Sequence, residues 1–219
     1  MLTVTNLQTN LAYRLGESAA PNDSTTKAQR LEWMNMAYFD VARRFNWWWL
    51  EASDVSNTNT GSTTGYTEPT DLKEFIELKI GNVFYDQIPY QHNRIYTGTS
   101  AVVSLPTLIK SYKYYRFGGK YYLTPTDGAD SAIHNIMYWK RVTKRVNDSD
   151  TWLIPDEYLE ILTAFAEARY WMSISQQAKA AAPFQEFEQI LEQMRKEQGR
   201  RGWGSPGYSV IDPEQSYGD

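Results

Sequence analysis

Four carboxylates crowd a ten-residue stretch: Asp148, Asp150, Asp156 and Glu157. Two carboxyl groups facing one bond are what glycoside cleavage requires, one as acid and one as nucleophile or base. Asp150 and Glu157 would be the pair to test for turnover on cell-wall material. The stronger reading is structural. Asp148-Ser149-Asp150 has turn composition. Asp156 and Glu157 follow Pro155, where a helix starts and its positive end attracts negative charge. The two histidines, His92 and His134, have no second His or carboxylate at helical ligand spacing. There is no Cys, which excludes a disulfide framework, a thiolate zinc site and a cysteine nucleophile. No Gly-rich phosphate loop, nucleophile elbow or paired-His helix motif occurs. Gly202-Trp203-Gly204 follows no strand and opens no helix. The residues therefore point to no catalytic, cofactor-binding or metal site, and to a protein that is not an enzyme.

Lys140, Arg141, Lys144 and Arg145 form a basic run that reads as a solvated strand end, with nucleic acid or an acidic partner as the sharper alternative. The net charge of −4 argues against a chain whose task is to grip phosphate backbones. Met1 to Asn6 has neither the basic nor the apolar part of a signal peptide. Trp47-Trp48-Trp49-Leu50, the longest strongly apolar cluster, is far too short to span a bilayer. The 8 Trp, 16 Tyr and 8 Phe among 219 residues give ring surface for a core or for partner contacts.

The elements that must position these residues follow from periodicity. Val4, Leu7, Leu11 and Leu15 predict a helix over 3–16, closed by Gly16. Leu31, Met34, Ala37, Tyr38, Val41, Ala42 and Phe45 predict a second over 26–45, started by a Thr26–Gln29 capping box. Strands are expected over 47–53, 75–80, 83–85, 110–117, 120–124 and 132–142. Gly81-Asn82, Gly118-Gly119 and Thr126-Asp127-Gly128 supply turns. The polar run 57–67 reads as a solvated loop or hairpin tip, and 87–108 has no clear pattern. A third helix over 156–175 is apolar on most faces, as for a helix buried in a core or against another subunit. A fourth spans 183–198, with a stripe of Phe184, Phe187, Ile190, Leu191 and Met194. Gly- and Pro-rich sequence with interspersed aromatics follows. The expected fold is α+β. Residues 1–46 form an N-terminal helical hairpin, 47–150 a central antiparallel β-rich insertion, and 151–198 a helical pair that completes the bundle. Residues 199–219 form an extended docking tail.

This order resembles the head–tail adaptor (connector, or head-completion) proteins of tailed bacteriophages. The resemblance covers residues 3–198. It rests on the helix from Arg30 to Arg44 with its Asn35 and Ala37-Tyr38, on Leu153-Ile154-Pro155-Asp156-Glu157-Tyr158 stepping into a helix, and on Lys120-Tyr121-Tyr122-Leu123-Thr124-Pro125 before the last strand. The aromatic run Trp47-Trp48-Trp49 is in keeping. The resemblance implies a virion protein, assembled in the host cytoplasm, that forms a ring, typically dodecameric, under the portal. The ring extends the DNA channel and offers a platform to tail or nozzle proteins; genomic DNA passes without sequence-specific binding, and no membrane is involved. Within that frame Arg200, Arg201, Trp203, Tyr208 and Tyr217 are the expected portal-docking residues, Trp203 and Tyr208 being the anchors. Tyr158, Phe165, Tyr170 and Trp171 are the expected subunit interface. The alternative from another class is a carbohydrate-binding module that stacks exposed Trp and Tyr on sugars.

Overall fold

The computed structural model describes residues 2–62, 64–90, 112–124 and 131–202. The chain divides into two compact units. One comprises Met1–Leu50 with Val142–Asp219, the other Glu51–Arg141.

The first unit is helical: α1 (Val4–Arg14), α2 (Ser24–Arg44), α3 (Glu160–Ser173) and α4 (Gln177–Gly202). Val4, Leu7, Leu11 and Ala12 bury one face of α1, and Thr3 caps it in a reciprocal arrangement with Asn6. The second helix begins two residues before the expected start. Asp23 is its cap, accepting from the Thr25 and Thr26 backbone N–H groups; hydrogen bonding from the Thr26 side chain first, then from these two N–H groups, holds its carboxyl below the usual carboxylate range. A carboxylate caps better than the Thr26 hydroxyl because it also meets the helix dipole.

α3 packs against all three other helices. That accounts for its apolar circumference: Ile161, Leu162, Thr163, Ala164, Phe165, Ala166 and Ala168 are all buried inside the chain's own bundle. A single-turn 3-10 helix, Asp156–Tyr158, precedes it, so Pro155 ends an extended step instead of occupying the first position of α3. Ser175, at φ 60, breaks the chain between α3 and α4. α4 starts six residues before the expected Pro183, which therefore lies inside the helix. Its buried stripe is Ala180, Pro183, Phe187, Leu191 and Met194, and Phe184 is left at the edge, 39% exposed. Gly199 does not end it, because the helix continues to Gly202.

Polar side chains lock the ends of this unit. The Asn35 amide, only 1% exposed, donates to the Leu31 and Arg145 carbonyls at 3.0 Å and accepts from the Arg145 N–H at 2.9 Å. One turn later the Tyr38 hydroxyl accepts from Arg145 and from the Leu153 N–H, and its ring meets Trp152 edge-on at 5.1 Å. Trp47 is fully buried and donates to the Val41 carbonyl at 2.6 Å. Residues 47–50 are not strand: Trp48–Leu50 makes a 3-10 turn, with the Trp49 indole stacked on Tyr38 of α2 and on Trp47, and the Trp48 indole edge-on to Tyr158. Arg14 joins three helices, pairing with Glu167 of α3 at 2.7 Å and with Glu186 of α4. The hydrogen bonds to Glu186 raise its pKa most, ahead of those to Glu167.

The second unit is a seven-stranded sheet in the order β1-β7-β3-β4-β5-β6-β2. The strands are β1 (Glu51–Asp54), β2 (Tyr66–Thr67), β3 (Leu72–Ile80), β4 (Val83–Gln87), β5 (Lys113–Phe117), β6 (Lys120–Thr124) and β7 (His134–Lys140). Neighbours are antiparallel except β4 and β5, which run parallel. That pair departs from the antiparallel expectation, and a parallel pair requires a long connection. β7 alternates cleanly, with His134, Ile136 and Tyr138 buried. β3 does not: Phe75 and Leu78 both point inward, because register shifts between Leu72 and Glu74 and between Phe75 and Glu77 change the phase. This explains why Phe75 sits out of step with the alternation. Gly118 and Gly119 adopt φ 61 and 75, as a two-residue turn between β5 and β6 requires.

The polar stretch after β1 is built into this unit and is not a solvated tip. Asn59, 1% exposed, accepts from the Tyr66 hydroxyl at 2.9 Å, and Thr58 bridges to Ile133. Ile88, in the stretch without a sequence pattern, is buried and donates to Tyr114 at 2.8 Å. The expected turn at 126–128 and most of 87–108 lie outside the described residues.

Two stability outcomes follow. Asn35→Ala should cost about 3 kcal/mol, since it strands buried backbone groups without partners; denaturant unfolding measures it, and a change below about 1 kcal/mol would refute the clamp. Gly65 and Gly16 share φ near +78 and +79, yet a Cβ at Gly65 would stand 2.7 Å from the Tyr122 ring while nothing lies within 4 Å at Gly16. Gly16→Ala should cost about 1 kcal/mol for backbone strain alone, and Gly65→Ala at least about 1 kcal/mol more.

Candidate functional site

Two of the four carboxylates in the acidic cluster, Asp150 and Asp156, have structural partners. The Asp150 carboxylate accepts from the Val146 and Asn147 N–H groups at 2.8 and 3.0 Å. Those bonds, with Asn147 first, depress its pKa. The Asp148 carbonyl accepts from Thr5, and the Asp156 carboxylate accepts from the Leu2 N–H. Both ties anchor the start of α1. A carboxylate engaged by two backbone donors is poorly placed as a nucleophile. Among the described residues no group of three or more His, Asp or Glu could hold a metal ion. His134 is fully buried in the sheet, with Nδ1 2.5 Å from the Tyr121 hydroxyl, which makes it a core histidine. His92 lies outside the described residues. The basic run is dispersed as well: Lys144 pairs with Glu32, while the Arg145 guanidinium stacks on Tyr38.

The surface of the helical unit carries the remaining candidates. Tyr158 is half-buried, edge-on to Trp48, with its hydroxyl donating to Glu197. It lines an open hollow of about 540 Å³ with Gln193, Lys196, Glu197 and Arg200. Thus Tyr158 and Arg200, assigned to different contacts from sequence, share one hollow. Tyr170 and Trp171 stand at the far end of α3, in edge contact with one another. Both are half-buried; the Trp171 indole donates to Glu167 and its face carries Lys179 at 4.5 Å. Phe165 is buried at 7% exposure, packed on Phe187. The side chain of Arg201 and the whole of Trp203, Tyr208 and Tyr217 lie outside the described residues.

Sequence reasoning missed a second surface. Met36, Phe39 and Arg43 of α2, Phe165 and Arg169 of α3, and Phe184 of α4 line an open groove of about 530 Å³. Asp40 at its edge is paired with Arg44. Residue spacing puts Phe184 in the apolar stripe of the fourth helix and Arg43 off the apolar face of the second. Only the earlier start of α4 shows the first to be peripheral, and only the packing of three helices brings the second to an apolar rim.

This arrangement offers surfaces for binding and no constellation for catalysis among the described residues. No helix there is long and apolar enough to cross a membrane. No curated protein matches the chain. The SU10 adaptor protein family, however, matches residues 2–209. With nearly the whole length accounted for, the chain belongs to that family of phage adaptors, structural components of the virion.

Proposed function

We propose that the protein is a head–tail adaptor that assembles as a dodecameric ring beneath the portal, extends the DNA channel and presents a platform to the tail or nozzle. The family match over residues 2–209 carries this reading, since an adaptor must hold portal and tail proteins. Head-to-tail contacts between identical subunits close into a ring when their rotation closes. Tyr158, Tyr170 and Trp171, half-buried on the helical unit, and Phe165 beneath its surface are the residues assigned to that subunit contact. A net charge of −4 lets DNA pass without adhesion, because like charges repel.

Residues 199–219 are the portal-docking arm, begun by the last turn of α4. Arg200 and Arg201 pair with acidic portal residues, while Trp203, Tyr208 and Tyr217 supply aromatic anchors of the kind that dominate interfaces. Many copies around a ring add avidity to a weak single contact. The sugar-binding alternative gains little from the rings of the sheet unit: half-buried Tyr115 and Tyr122 stack on each other at 4.9 Å, as do exposed Tyr90 and Phe117 at 4.8 Å, so one face of each ring is already taken.

Negative-stain imaging with and without the cognate portal tests the assembly: rings stacked coaxially on the portal are expected, and isolated small particles in both samples would overturn it. Deleting residues 203–219 leaves α4 whole, so circular dichroism should be unchanged while portal attachment is lost. Attachment at the normal level by the shortened chain would remove the arm from the account.

A further inference from the structure

The groove on α2, α3 and α4 has a composition that calls for an acidic, aromatic occupant. Its floor is Phe165, and its rim holds Met36 and Phe184, 40% and 39% exposed. Arg43 and Arg169 flank it. Neither guanidinium makes an ion pair among the described residues: Arg43 donates to the Phe39 carbonyl, and Arg169 lies over the Phe165 ring at 5.2 Å. The other cations nearby are committed, as Arg44 is to Asp40 and Glu188. Two cations thus lie beside exposed apolar surface without a carboxylate partner.

The chain itself supplies the complement. Residues 203–219 contain Asp212, Glu214 and Asp219 and no Lys or Arg, with Trp203, Tyr208, Val210, Ile211 and Tyr217 among them. We propose that this segment docks in the groove of its own chain through its distal part, Asp212, Glu214 and Asp219 meeting Arg43 and Arg169 while Ile211 and Tyr217 cover Met36, Phe165 and Phe184. The lengths allow it. Phe184 and Gly202 are on one helix, about 27 Å apart at 1.5 Å per residue. The seventeen residues beyond Gly202 span up to about 56 Å when extended. A tether of this length holds the segment near its own groove at roughly millimolar effective concentration, above that of other copies in dilute solution. The arm then has two surfaces to engage: the groove before assembly, and the portal, on the reading above, after it.

The absence of Cys permits a direct test on the full chain without portal, so the result does not depend on portal attachment. Met36→Cys with Ser216→Cys, fourteen residues beyond Gly202 and so within reach of the groove at up to about 46 Å, should form an intramolecular disulfide under mild oxidation, about tenfold faster than a Tyr13→Cys with Ser216→Cys control, as effective concentration predicts. Tyr13 is exposed on α1 and does not line the groove. Adding Arg43→Glu and Arg169→Glu should return the rate to that of the control, with circular dichroism reporting that the helices persist. Salt of about 1 M, where screening acts within about 3 Å, should slow the reaction in the unreversed pair. Equal rates in the Met36 and Tyr13 pairs, or disulfides found only between chains, would overturn the proposal.

Discussion

The burial of α3 is the constraint on which the helical unit depends. A helix apolar on most of its circumference cannot face water, and α1, α2 and α4 each cover part of it. Two of those helices come before the sheet in sequence and one after it. The bundle therefore cannot close until the chain has passed through residues 51–141 and returned. Small side chains at Ala164, Ala166 and Ala168 permit close approach, and Phe165 and Phe187 fill the layer toward α4.

Directional bonds make that closure specific. Hydrophobic burial alone tolerates sliding of helices, whereas Asn35 and Tyr38 hold the segment 145–153 at fixed positions along α2. Arg14 does the same across α1, α3 and α4. Partnered groups of this kind cost little when satisfied and much when one member is lost. The short bridge between Thr3 and Thr151, with Asp150 accepting from Val4, ties the first helix to the returning chain. The sheet unit relies on a comparable network, in which Asn59, Tyr66, Tyr121 and His134 satisfy polar atoms inside an aromatic core.

The family identity makes binding surfaces the relevant output, and on the helical unit packing leaves rings and cations at rims. Tyr158 and Arg200 share a hollow along α4, and Arg43 and Arg169 flank a groove one helix away. Neither feature resembles a catalytic centre. Of the carboxylates that could have suggested one, Asp150 and Asp156 are engaged by backbone donors, which for Asp150 is how a turn keeps its shape.

By itself the sequence determined the element types and their order. Three amphipathic helices and one apolar on most faces, around a strand-rich middle, follow from residue spacing, as do the two-residue turns at Gly81-Asn82 and Gly118-Gly119. Periodicity is a local property, so it survives translation into structure with errors mostly at ends, such as Asp23 replacing Thr26 as a cap; the short strand β2, inside the polar run, carries no such signal. Tertiary structure decided the rest, because those features depend on residues distant along the chain. The bulges that re-aim Phe75, the parallel pairing of β4 with β5, the embedding of Asn59 and the conversion of Trp48–Leu50 into a helical turn each answer to a non-local partner. The apolar excess of α3 was visible in sequence, but only packing showed that its own chain covers it. The groove was not legible at all, since its lining residues come from three helices and adjoin only when the bundle closes.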